Sequence, residues 1–119
     1  MAQILLAEDD ESMREFLAKA LRRAGHEVTP VGNGLDALAQ LSEIPFDLLL
    51  ADVVMPGLDG IELARRAGKK QPGIKVMFIT GFAAVALRAR EQSPKEARVL
   101  SKPFHLRDLV DQVEVMLHS

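Results

Sequence analysis

The sequence predicts an α/β domain: a doubly wound, five-stranded parallel sheet with five helices, arranged as a three-layer sandwich. Three observations lead there. Short apolar runs alternate with helical patterns from end to end, as repeated βα units do. The third and fourth runs are apolar at consecutive positions, as expected of strands covered by helices on both faces. Right-handed crossovers between parallel strands then wind those helices onto the two sides of an open sheet.

Ile4-Leu5-Leu6-Ala7 is long enough for a buried strand and too short for a helix. Met13, Phe16, Leu17, Ala20, Leu21 and Ala24 follow at helical spacing, and Gly25 stands where a left-handed cap belongs. Val28 and Val31 mark a weaker second strand, made irregular by Pro30. Asn33-Gly34 breaks the chain before a second helix defined by Leu35, Leu38 and Leu41 and ended by Pro45. Asp47 to Ala51 is the third strand and runs directly into Asp52, after which Met55-Pro56-Gly57 turns the chain. Ile61, Ala64 and Ala67 pattern a third helix, and Val76 to Ile79 a fourth strand. A fourth, alanine-rich helix is expected from about Ala83 to Arg90, a short fifth strand from Ala97 to Leu100, and a last helix on Leu106, Leu109, Val110, Val113 and Leu117.

At roughly 100–200 residues per domain, 119 residues make one domain, read as spanning 1–119. The 48% hydrophobic and 27% charged residues are ordinary for a globular protein. A net charge of −2 argues against non-specific nucleic-acid binding. The absence of cysteine removes disulfides, thiolate catalysis and cysteine-ligated zinc. No apolar run approaches the ~20 residues that span a bilayer, and the early Glu8-Asp9-Asp10 cluster is unlike a secretory signal. The expectation is a cytoplasmic monomer with no membrane insertion.

Chemistry in open α/β sheets collects beyond the carboxyl ends of the strands. Glu8 and Asp9 follow the first strand, Asp52 the third, Thr80 the fourth and Lys102 the fifth. Each alone reads as a loop charge, a turn or a helix cap, with Asp10, Glu11 or Ser12 free to cap the first helix. Together they place three carboxylates, a hydroxyl and an ammonium on one edge. Two carboxylates 4–5 Å apart repel by roughly 4 kcal/mol at an effective dielectric near 20. A cluster of them calls for a cation, and oxygen-only ligands point to Mg²⁺. Asp52 could then attack phosphorus as an already ionised nucleophile, with Lys102 and Thr80 neutralising the transferring group.

These residues, with Met55-Pro56-Gly57-Leu58-Asp59-Gly60, Thr80-Gly81 and Lys102-Pro103-Phe104, resemble the receiver domain of two-component response regulators, a flavodoxin-like fold. The resemblance covers the whole chain. It implies that Asp52 is the phosphoacceptor and that Asp9 and Asp52 bind Mg²⁺ directly. It implies further that Glu8 acts through water and that the backbone carbonyl of Val54 completes the protein's share. Lys102 would pair with the phosphoryl oxygens, Thr80 would move toward them, and the Lys102–Pro103 peptide would be cis. The segments from Val76 to Leu87 and from Leu100 to Leu109 are similar to stand-alone alphaproteobacterial receivers. That implies a histidine phosphotransferase fed by a hybrid histidine kinase, and an unphosphorylated form that primes the ClpXP protease in cell-cycle control. No output domain is expected.

Many receivers carry an aromatic residue three positions before the lysine, where this chain has Val99. A β-branched valine is nearly fixed at χ1 and sweeps little area, so readout is assigned to Phe82, Val85 and Ala86 at the start of the fourth helix. In the family that this chain resembles, the two positions held here by the apolar Val54 and Phe82 flank the path of the hydrolytic water; neither side chain can orient it, which predicts slow phosphoryl loss. His26 and His118 are read as solvent-facing, His105 as a surface or capping residue or a phosphotransferase contact, and Met13 and Arg14 as docking candidates. Three alternatives stand beside this reading. A Mg²⁺-dependent aspartyl phosphatase of the familiar form lacks its second aspartate, since Val53 and Val54 follow Asp52. A nucleotide or flavin site wants a glycine- or hydroxyl-rich loop where this chain has acids. A pseudo-receiver binding partners without phosphorylation would not need the retained Glu8, Asp9, Asp52, Thr80 and Lys102.

Overall fold

A computed structural model describes residues 1–81 and 97–118. Five strands and four helices lie among them: β1 (Gln3–Ala7), α1 (Glu11–Arg23), β2 (Glu27–Val31), α2 (Gly34–Leu41), β3 (Leu48–Asp52), α3 (Gly60–Lys70), β4 (Lys75–Thr80), β5 (Arg98–Ser101) and α4 (Leu106–Leu117). The helix expected from about Ala83 to Arg90 falls outside the described residues, as do the surface candidates Phe82, Val85 and Ala86. All strand pairs are parallel, in the order β2-β1-β3-β4-β5.

Two-residue alternation divides each central strand between two helix layers. Leu5, Ala7, Leu49, Ala51 and Phe78 pack with Ala37 and Leu41 of α2 and with Leu63, Ala64 and Ala67 of α3. Ile4, Leu6, Leu48, Leu50, Met77 and Ile79 pack with Leu17 and Leu21 of α1 and with Leu109, Val113 and Met116 of α4. Burial on both faces explains the unbroken apolar runs of β1 and β3. Pro30 does not distort β2, which pairs regularly with β1 from Glu27 to Val31. That strand is the sheet edge, where a missing N–H costs no ladder bond on the open side.

The first three helices start on side-chain caps. Asp10 accepts from the Met13 amide and Asp59 from the Glu62 amide, each satisfying a donor left orphaned at a helix start. Asn33-Gly34 is a helix start rather than a plain break, with Asn33 accepting from the Asp36 amide and Gly34 opening α2. Phe16 and Leu35, expected on core faces, are 55% and 63% exposed. The expected Leu17, Ala20 and Leu21 of α1 are buried together with Ala18, and the expected Leu41 of α2 is buried together with Ala37.

The expectation for His26 is corrected outright. It is buried, accepts from the Ala2 amide at its Nδ1 (3.2 Å) and bonds the Glu114 carboxylate through Nε2 (2.6 Å). The start of β1 and the flank of α4 meet over the turn before β2 and supply both partners. His118 is exposed, as expected, with a contact to Glu114.

Candidate functional site

The sheet order reverses between β1 and β3: β1 connects outward to β2, while β3 leads the other way to β4 and β5. Side chains at the carboxyl ends of these strands therefore share one crevice. Glu8 follows β1 and is fully buried, Asp9 next to it is exposed, and Asp52 ends β3 almost fully buried. One carboxylate oxygen from each of the three lies within 4.8 Å of the others. Lys102, just past β5, reaches both buried acids, with Nζ 3.1 Å from Asp52 Oδ2 and 3.3 Å from Glu8 Oε1. Thr80 ends β4, fully buried, and its carbonyl accepts the Lys102 amide at 2.7 Å. The Lys102–Pro103 peptide is cis.

Local backbone builds the rest. Asp52 Oδ1 accepts the Val54 amide at 3.0 Å, so both Asp52 oxygens have donors. Glu8 Oε2 accepts the Asp10 amide at 3.3 Å. Val54 itself is 46% exposed at the rim. Val99 lies on β5, partly buried against the core layer shared with α2 and α3. His105 stands at the N-cap of α4 and makes no side-chain capping bond.

Two features escaped the sequence reading. Gly60 opens α3 so close to β3 that a Cβ there would sit 2.3 Å from the Asp52 carbonyl oxygen. Its place at the end of the Met55 to Gly60 turn was visible; the contact was not. Arg14, considered only as a docking residue, turns inward and donates from Nη1 to the Glu8 carbonyl at 2.8 Å. Its separation from Glu8 carries no pattern that would have disclosed this.

The electrostatics show an excess of negative charge. Burial, and next the charge of Asp52, push the Glu8 carboxyl up to about 7 against the pull of Lys102. Burial works against the Lys102 charge, but its hydrogen bonds and attraction to Asp52 and Glu8 outweigh that and hold its pKa above the ordinary lysine value. One ammonium does not balance three carboxylates. The donor set is hard oxygen throughout, which fits a cation such as Mg²⁺.

The response regulator receiver domain family matches residues 4–114, and the chain belongs to that family. It is thus a two-component signalling domain, of the class whose phosphodonors are histidine kinases and whose acidic residues bind Mg²⁺. Among its relatives, the response regulator receiver protein CpdR of Brucella abortus (strain 2308) is 62% identical over 117 residues, covering 98% of each chain. The sensor kinase CckA of the same organism is 35% identical over 120 residues, which are 99% of this chain and 13% of the kinase. A solved response regulator receiver protein from Sinorhizobium medicae WSM419 superposes with a TM-score of 0.92 at 29% identity, over 99% of this chain and 95% of that one.

Proposed function

We propose that this chain is a stand-alone phosphoryl acceptor in a two-component relay, with Asp52 carrying the phosphoryl group. One observation carries the reading: Glu8, Asp9 and Asp52 converge within 4.8 Å while Lys102 contacts both buried carboxylates.

An oxygen of the ionised Asp52 attacks phosphorus of a phosphohistidine. The O–P bond forms as the N–P bond breaks, and the electron pair stays on the donor imidazole. An anionic nucleophile needs no general base. The Val54 amide and Lys102, one on each oxygen, hold the carboxylate plane in register with the incoming group. Lys102 is placed to follow the developing charge onto the phosphoryl oxygens, and the Thr80 hydroxyl is assigned to another of them. Asp9, Asp52, the Val54 carbonyl and, through water, Glu8 would hold Mg²⁺. Bound there, it supplies charge neutralisation for the phosphoryl oxygens. The same groups let the domain catalyse its own phosphorylation and, slowly, its dephosphorylation.

The donor is assigned as a histidine phosphotransferase fed by a hybrid histidine kinase in a cytoplasmic relay; the likeness to a segment of a sensor kinase supports the kinase-fed pathway. The end-to-end match to a receiver protein supports output through the domain's own surface. Phe82, Val85 and Ala86 are the assigned readout residues, on the signalling surface they share with Val99, and ClpXP is the partner implied by the stand-alone resemblance. No helix among the described residues is long and apolar enough to cross a membrane. Incubation with acetyl phosphate, read by intact mass, tests the core of this reading. One phosphoryl group is expected with Mg²⁺ present and none with chelator; no gain under either condition refutes it.

A further inference from the structure

We infer that Arg14 is a positioning residue for the acidic cluster: its guanidinium clamps the peptide joining Glu8 to Asp9 and so orients both carboxylates toward the cation site. The inference rests on the reading of that cluster as a Mg²⁺ site.

The Arg14 bond goes to a backbone oxygen, the Glu8 carbonyl, at 2.8 Å. A peptide group is planar, so holding its oxygen fixes the rotation that precedes it at Glu8 and the one that follows it at Asp9. The amide on the other side of Glu8 is also held, donating to the Val31 carbonyl at 3.1 Å. Glu8 is thus fixed from β2 on one side and from α1 on the other. Consecutive side chains project differently, and the fixed link sends one carboxylate into the buried crevice and leaves the next at its rim, with oxygens from both within 4.8 Å of Asp52.

The path of the guanidinium is cleared in the fold. Gly32 follows β2, and a Cβ there would stand 3.2 Å from Arg14 Nη1. Its φ is not in the left-handed region, so the backbone does not require glycine at this position. What the missing side chain provides is room for Arg14. The residue also sits one turn inside α1, whose start is fixed by the Asp10 cap, so its root is as rigid as its target.

Charge and positioning make opposite claims about this residue. A cation beside a Mg²⁺ site repels the metal, so if charge were all that mattered, removing Arg14 would tighten binding. Positioning predicts weaker binding despite the loss of a repelling charge. Groups that orient metal ligands from behind commonly change affinity 10–100-fold when removed.

The test is a MgCl₂ titration of the ¹⁵N-labelled full chain, followed by the amide shifts of Asp9, Asp10, Val53 and Val54. Arg14→Met is expected to bind Mg²⁺ about 10-fold more weakly than the parent. Arg14→Lys, which keeps a donor on a long stem, is expected to recover part of the loss. Parent-like or tighter binding by Arg14→Met overturns the role of Arg14 while leaving the site reading intact. No saturable response from the parent chain overturns both. Should Arg14→Met not fold, Gly32→Val displaces the guanidinium and keeps its charge. Weaker Mg²⁺ binding by that variant supports the clamp, and unchanged binding overturns it.

Discussion

Gly60→Ala would drive a methyl group into the junction where α3 leaves the end of β3. The added Cβ would meet the Asp52 carbonyl oxygen at 2.3 Å and the Val53 Cα at 2.9 Å. Both obstacles are buried backbone at the end of the central strand β3, so neither yields cheaply. The start of α3 must retreat by roughly 0.7 Å before the first contact reaches even 3.0 Å. That retreat breaks the 2.9 Å bond from the Gly60 amide to the Val53 carbonyl, a loss of about 1 kcal/mol. Overpacking adds about 1–3 kcal/mol, and the better helix propensity of alanine returns at most about 1 kcal/mol. The net expectation is a destabilisation of about 2 kcal/mol, which lowers a urea midpoint by roughly 1 M. The chain has neither Trp nor Tyr, so the transition is followed by far-ultraviolet circular dichroism. Gly68→Ala is the control: it lies in the same helix with nothing within 4 Å of its Cβ, and it should stabilise by up to about 1 kcal/mol. The same shift reaches Asp52, so Gly60→Ala should also accept phosphate from acetyl phosphate at least about tenfold more slowly. A Gly60→Ala chain as stable as the parent, or a Gly68→Ala chain equally damaged, would refute the reasoning.

Other outcomes follow from the same geometry. The raised Glu8 pKa, about 7 against 4.5 unfolded, means the folded state holds this proton more tightly. Metal-free stability should therefore fall as pH rises from about 4.5 to 7 and be recovered by Mg²⁺. Glu8→Gln should flatten that slope and raise metal-free stability above pH 7 by about 1–3 kcal/mol, and an unchanged urea profile would contradict this. Lys102→Met should slow phosphorylation by about 100-fold and push the Glu8 carboxyl further up, because the Lys102 charge, with the Asp10 amide, is what lowers it; carboxyl ¹³C shifts that titrate at or below 7 would count against the assignment. His26→Ala should cost about 2 kcal/mol through its bonds to Ala2 and Glu114, and thermal melting indistinguishable from the parent would sink that estimate. Val54→Asn, which places a polar group at the exposed rim, should speed loss of the aspartyl phosphate severalfold; an unaltered decay of the phosphorylated mass peak would show that Val54 does not govern the water.

Much of the fold could be read from residue order. The apolar runs at Leu48 to Ala51 and Val76 to Ile79 announced doubly covered strands because both faces must be apolar, and Asp52, Thr80 and Lys102 could be placed because each stands at or just past the end of a predicted strand. Periodicity was less informative where a helix carries more apolar residues than its stripe can bury, and Phe16 and Leu35 are exposed for that reason. His26 was misjudged because its environment comes from Ala2 and Glu114, one far before it and one far after it. Arg14 and Gly60 act through contacts to backbone oxygens, which leave no residue pattern to detect.

The central claim is that the phosphoryl group goes to Asp52. Borohydride reduces an acyl phosphate to an alcohol and so converts a phosphorylated aspartate to homoserine, which peptide sequencing then locates. After reaction with acetyl phosphate and Mg²⁺, homoserine is expected at position 52 and at no other position. Homoserine at Asp9 or Asp59, or none at all from a chain that has gained a phosphoryl group, would contradict the account.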